Sequence, residues 1–186
     1  MYKRQVFGAG GSPQQALPDP ATVLCSVDAR DTFGSELYDD CHELLDLTND
    51  PDTIFHGLNW SSAVPILDWD GVSFDNDNLG AGARMTLNFH GYNVAESEKL
   101  SGTIPPEIGN LQNLRYLYLG FNNITGTIPS EIGSLALIDL NLSNNSLTGS
   151  IPESFGNLVH LRSLYLQKNE LTGSIPLQLQ NLTRKN

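Results

Sequence analysis

The sequence predicts an α/β solenoid, and three observations predict it. The phrase LTGSIP stands at residues 147–152 and again at 171–176, with LSGTIP at 100–105 and ITGTIP at 124–129. The glycines of these phrases, Gly102, Gly126, Gly149 and Gly173, are separated by 24, 23 and 24 residues, the period of a stacked unit. Between the phrases an L-x-x-L-x-L pattern ending in Asn recurs: Leu114, Leu117, Leu119 and Asn122; Leu137, Leu140, Leu142 and Asn145; Leu161, Leu164, Leu166 and Asn169.

Each element of the unit has a physical reason. An L-x-L pair sends two side chains to one face of a strand, because successive strand residues alternate faces. Burying each leucine contributes about 1.5–3 kcal/mol, but one repeat cannot close a core, so neighbours must stack. The Asn ends the strand, and its amide can satisfy backbone groups that the turn leaves unpaired. The phrase glycine permits a tight path, and Pro105, Pro129, Pro152 and Pro176 fix φ and withhold an N–H. After each proline, PEIGNL, SEIGSL, ESFGNL and LQLQNL are long enough for one or two turns of α or 3-10 helix on the outer side. The middle copy has lost one residue between Leu135 and Leu137, which accounts for its short step.

With these residues in place, the repeats resemble the leucine-rich repeat family, and x-G-x-I-P is similar to the mark of its plant-type subclass, over residues 100–182. The resemblance implies a right-handed superhelix with a parallel concave sheet, a short second sheet along one flank and helical or 3-10 returns. In that family the concave face usually binds a protein, peptide or glycan.

Three regions are expected: a flexible N-terminal segment at 1–34, an N-terminal cap at 35–83, and about four repeats at 84–186. The first is rich in Gly, Pro, Ala and Asp. Its first five residues, MYKRQ, coincide with the translation of a common sequencing adapter, so residues 1–5 are expected to be non-native and the native start to lie upstream. They carry no apolar signal-peptide core. At the other end Leu182 opens what would be a fifth repeat, and no polar capping segment follows, so truncation there is expected.

SELYDDCHELLDLT from Ser35 has helical spacing, with Ser35 placed to cap it. The following stretch resembles the cap of plant-type repeats and their microbial counterparts: a helix, a Trp-containing loop, then W-x-G-V and a hairpin, with Trp60, Trp69, Gly71 and Val72 in the matching positions. Phe74 stands where many such caps have a cysteine. Cys25 and Cys41 either pair in an oxidising compartment or are buried or free thiols, and their spacing does not decide between these. In the first repeat Tyr92 replaces the strand-ending Asn, and VAESEK at 94–99 is an insertion; it forms either a loop on the binding face or a solvated loop without a role.

The net charge of −11 is unevenly placed: residues 1–99 hold 16 acidic and 5 basic side chains, whereas residues 100–186 hold 5 of each. A neutral solenoid behind an acidic front argues against nucleic acid, which selects basic patches. No apolar run approaches the roughly 18 residues of a membrane span. His42, His56, His90 and His160 form no metal-ligand spacing, DNDNLG at 75–80 has Leu79 in place of one oxygen ligand of a calcium loop and Thr86 stands in place of its closing Glu, and no G-x-S-x-G elbow occurs. Neither a cofactor, a metal nor enzymatic activity is expected.

Binding is expected on outward strand positions that change between copies: Asn88, His90, Tyr116, Tyr118, Phe121, Asp139, Asn141, Ser163, Tyr165 and Gln167. Tyr116, Tyr118, Phe121 and Tyr165 are expected to form an aromatic cluster, because rings supply contact area at low entropy cost; strand pairing alone also favours aromatics. Sequons at Asn59, Asn123 and Asn181 are glycosylation candidates on a secretory route, and those at Asn141 and Asn144 lie on the strand face. The function expected is a non-enzymatic, extracellular or cell-surface recognition module, receptor-like or secreted, for a protein, peptide or glycan. The alternatives are a surface-active solenoid, adhesin or ice-binding, using the Ser and Thr ladders of the I-P flank, and an inhibitor of a secreted hydrolase.

Overall fold

The computed structural model describes residues 35–48, 51–56, 58, 71–74 and 84–185. The segment 1–34, Cys25, Trp60, Trp69, the sequon at Asn59 and the DNDNLG stretch lie outside the described residues. The described residues open with helix α1 (Ser35–Leu47), so Ser35 is its first residue rather than the residue before it. Cys41, Leu44 and Leu47 are buried on its inner face, and Cys41 is disulfide-bonded. The hydroxyl of Thr53 donates to Leu47 O at 2.9 Å, satisfying a carbonyl that the helix end leaves open.

Seven strands follow among the described residues: β1 (Val72–Phe74), β2 (Met85–Asn88), β3 (Ser101–Thr103), β4 (Leu114–Tyr118), β5 (Asn123–Thr125), β6 (Asp139–Asn141) and β7 (Ser163–Tyr165). The main sheet has the order β1-β2-β4-β6-β7. Its first pair is the antiparallel hairpin of the cap, with Val72 opposite Leu87; every later pair is parallel. β3 and β5 form the second sheet, in which Ile54 N donates to Thr103 O and Thr103 N donates to Asp52 O, both at 3.0 Å.

The returns expected to be α or 3-10 are all 3-10: Pro106–Asn110, Ser130–Ser134, Glu153–Asn157 and Leu177–Lys185. Each begins directly after the phrase proline, whose extended backbone (φ −62, ψ 135 at Pro129) feeds the turn. The phrase glycines take φ of +107, +77, +74 and +79, the left-handed region where a Cβ is penalised.

The core is a set of columns. Leu87, Leu117 and Leu140 stack through the register of the main sheet, and Ile108, Ile132 and Phe155 stack from the returns; all six are fully buried. Leu161, Leu164 and Leu166 of the last copy are only partly buried, since no further repeat covers them among the described residues.

The strand-ending asparagines lock the columns together. Asn145 donates from Nδ2 to Leu119 O (2.9 Å) and Leu142 O (3.1 Å), while its Oδ1 accepts the N–H of Ile124 (3.1 Å). Asn122 and Asn169 repeat this bridge, accepting from Leu100 N and Leu147 N. The cap is joined by a buried carboxylate: Asp40 accepts the N–H groups of Gln112 (2.9 Å) and Asn113 (3.0 Å).

Candidate ligand-binding face

The parallel register brings the expected residues together in two cross-strand rows. Thr86, Tyr116, Asp139 and Ser163 form one, and Asn88, Tyr118, Asn141 and Tyr165 form the other. Rows arise because the side-chain period is two and neighbouring strands lie about 4.8 Å apart. Tyr116 and Tyr118 stack with ring centres 6.4 Å apart. The Tyr118 hydroxyl donates to Asp139 Oδ2 at 3.0 Å, and burial, then that carboxylate, push its pKa up to about 12. The hydroxyl is therefore a donor throughout the physiological range. Tyr165 is exposed one strand beyond Asn141.

Phe121 does not join these tyrosines. It lies in the turn after β4 with φ +63, and its ring packs on His90 (4.9 Å) and Tyr92 (5.1 Å, edge to face). The expected single cluster is thus two: a tyrosine pair on the strands and a His90–Tyr92–Phe121 group at their ends. Tyr92, read from sequence only as a lost Asn, is 60 % exposed and belongs to the second group.

Not every face residue is equally available. Asn141 Oδ1 accepts the N–H (3.0 Å) and the hydroxyl (2.8 Å) of Ser143, so its amide oxygen serves the turn. Asn88 accepts from His90 N at 3.4 Å in the same manner. Gln167 is exposed and Ser163 half-buried. Of the sequons, Asn123 is exposed and its Nδ2 donates to Glu96 Oε1 at 2.6 Å, while Asn181 lies in the last return.

That contact fastens the 94–99 insertion to β5. Glu96 also accepts from Lys99 Nζ at 2.7 Å, and these two partners hold its carboxyl below the usual range. Val94 and Glu98 of the insertion, with Asn88, His90 and Leu58, line a cavity of about 410 Å³. The insertion therefore borders the concave face.

A second cavity, of about 380 Å³, opens at the other end of the strands and was not foreseen. Arg84, Arg115, Tyr116, Ala136, Ile138, His160 and Arg162 line it. The sequence signal for it was present: Arg115 and Arg162 hold the same position in the first and third copies, either side of the copy with the missing residue. Among the described residues, no group of three His, Cys, Asp or Glu side chains could hold a metal ion, and no helix is long and apolar enough to cross a membrane.

Comparison with known proteins supports the same fold. A model of the leucine rich repeat family matches residues 112–171. A chain of the BIR3–SERK2 complex from Arabidopsis thaliana is 32 % identical, with a TM-score of 0.59 over 77 % of this chain and 74 % of that one. The BIR2 ectodomain from the same plant is 28 % identical, with a TM-score of 0.60 over 78 % and 76 %. A plant ice-binding protein is 32 % identical, with a TM-score of 0.64 over 77 % of this chain and 44 % of that one. Among curated protein sequences none matches.

Proposed function

The chain belongs to the leucine-rich repeat family, in its plant-type class, and from that premise we propose that it is a non-enzymatic, extracellular recognition module binding a protein or peptide on its concave face. One observation carries the reading: the residues that repeat, the leucines and asparagines, are turned into the scaffold, while those that differ between copies, Tyr116, Tyr118, Asp139 and Tyr165, stand together on one open face. The tyrosine pair supplies rigid contact area and Tyr118, Asp139 and Ser163 supply hydrogen-bonding groups beside it, the mixture that recognition surfaces use. The similar structures support the partner class, one being a complex of two proteins and another an ectodomain by its description. A glycan ligand is compatible with the same rings and stays within the proposal.

The test is a binding screen with the immobilised chain against extracellular proteins and peptides. Tyr118→Ala and Tyr165→Ala are each expected to weaken a recovered ligand about tenfold or more, as centrally placed aromatic anchors do. Unchanged affinity in both variants would show that another face binds.

A second reading rests on the flank. Ser101, Thr103, Thr125, Thr127, Thr148, Ser150, Thr172 and Ser174 are all exposed, with Thr103 paired to Thr125 and Thr127 to Thr148, and an ice-binding protein is among the similar structures. Four of these hydroxyls, on Thr103, Thr125, Thr148 and Thr172, donate to backbone carbonyls of the preceding turn at 3.2–3.3 Å, so a structural task accounts for them. Thermal hysteresis separates the two readings: its presence favours the flank. Inhibition of a secreted hydrolase is a special case of the first reading.

A further inference from the structure

The cavity at the leading ends of the strands joins three features that the proposed function leaves unused: a missing residue, a set of arginines, and apolar lining residues. Ile138 N donates to Arg115 O and Arg162 N donates to Ile138 O, both at 2.7 Å, so Arg115, Ile138 and Arg162 occupy one rung on three successive repeats. Two strand spacings place the two arginine backbones about 10 Å apart. Between them the middle copy is one residue short: Ala136 stands alone where the flanking copies have Gln112–Asn113 and Val159–His160. The notch opens at this short copy: Ala136 and Ile138 line it together with Arg115 and Arg162 of the flanking copies, and Arg84, His160 and Tyr116 complete the lining.

The charge of the notch runs against that of the chain. Three of the six arginines line it in a protein of net charge −11, and among the described residues no carboxylate does. Two acids of the neighbouring described elements are engaged with other groups. Asp139 accepts the Tyr118 hydroxyl, and Asp40, which acts on Arg115 through space, accepts the N–H groups of Gln112 and Asn113. Arg115 is braced, its Nη1 donating to Gln112 O (2.7 Å) and Leu114 O (3.0 Å), whereas Arg162 is exposed.

We infer that this notch binds the acidic side chains of a short peptide segment, Asp or Glu carboxylates meeting the Arg115 and Arg162 guanidinium groups while adjoining peptide lies on Ala136, Ile138 and the Tyr116 ring. A guanidinium fork matches carboxylate geometry in two parallel hydrogen bonds. The volume lies at the lower end of the roughly 300–1,000 Å³ of ligand cavities, which suits a short segment rather than a domain. The inference rests on the reading of the concave face as peptide-binding and names the charge its ligand carries.

Fluorescence anisotropy of the whole chain with a labelled octapeptide of alternating Asp and Ser, against a control of alternating Asn and Ser, tests it. The acidic peptide is expected to bind about tenfold more tightly than the control and to weaken at physiological salt. Arg162→Glu is expected to weaken it about tenfold or more, and Arg162→Lys only severalfold, because charge survives and the fork does not. Arg162 is exposed, so these variants leave the fold unaltered; Ala136→Phe, which fills the notch, gives an independent loss. Equal binding of the two peptides, no binding of either, an unaffected Arg162→Glu, or binding of an oligogalacturonate in place of the acidic peptide would each overturn the inference. None of these outcomes touches the Tyr118→Ala and Tyr165→Ala test of the wider face.

Discussion

Asn145 shows how one side chain holds two repeats. Its amide closes its own turn and reaches the preceding repeat through Leu119 O and Ile124 N. Asn145→Ala removes all of these at once and leaves backbone groups unpaired in a partly buried place, so a loss of about 3 kcal/mol is expected in urea denaturation. Asp40 makes the corresponding joint at the cap. Burial is the main cause that raises its pKa to about 6 from an ordinary 3.8, against the lowering effect of Asn113, Gln112 and Arg115. A raised folded-state value means that the contribution of Asp40 to stability is fully present below the unfolded pKa and is lost as pH rises through about 6. The difference in stability between pH 4 and pH 7 should therefore be about 2 kcal/mol smaller in Asp40→Asn than in the parent chain. Parallel thermal melts across that range check it, and identical pH profiles would contradict it.

At the scale of the element, the 3-10 returns set how closely repeats stack. Gly109, Gly133 and Gly156 hold the same place in successive returns, and each is buried against the next one. A Cβ on Gly133 would come within 2.5 Å of the Ser154 Cβ and carbonyl oxygen, and a backbone contact cannot swing aside. Gly133→Ala is expected to cost about 1–3 kcal/mol by overpacking. A neutral effect in denaturation would mean that the returns are looser than their spacing here. Sequence reading identified these segments as returns from the proline before them. It left α and 3-10 open, because five residues between a proline and a buried leucine satisfy both patterns, and only stacking against the neighbouring return selects the narrower helix.

Over the whole molecule, stability should be graded along the stack. Each repeat touches only its neighbours. Leu87, Leu117 and Leu140 are covered on both sides, whereas Leu164 and Leu166 are partly open. Amide hydrogen exchange is expected to be slowest in β4 and β6 and fastest in the copy that carries β7, following local burial. Uniform protection would instead indicate one all-or-none unit.

The amino-acid order alone determined the period, the inward leucines, the bridging asparagines and the outward strand rows. These are consequences of local geometry repeated: alternation along a strand fixes a side chain's direction, and copying the unit fixes its neighbour's. The tertiary structure decided what depends on register between copies and on departures from the repeat. It divided the expected aromatic cluster, setting Phe121 beside His90 and Tyr92. It set Asp40 under the amides of Gln112 and Asn113. It brought Arg84, Arg115 and Arg162 around a notch at the copy that is one residue short. Residues so far apart in the chain become neighbours only when each turn of the solenoid lands on the last, and a periodic pattern describes the landing without saying what its irregular members will touch.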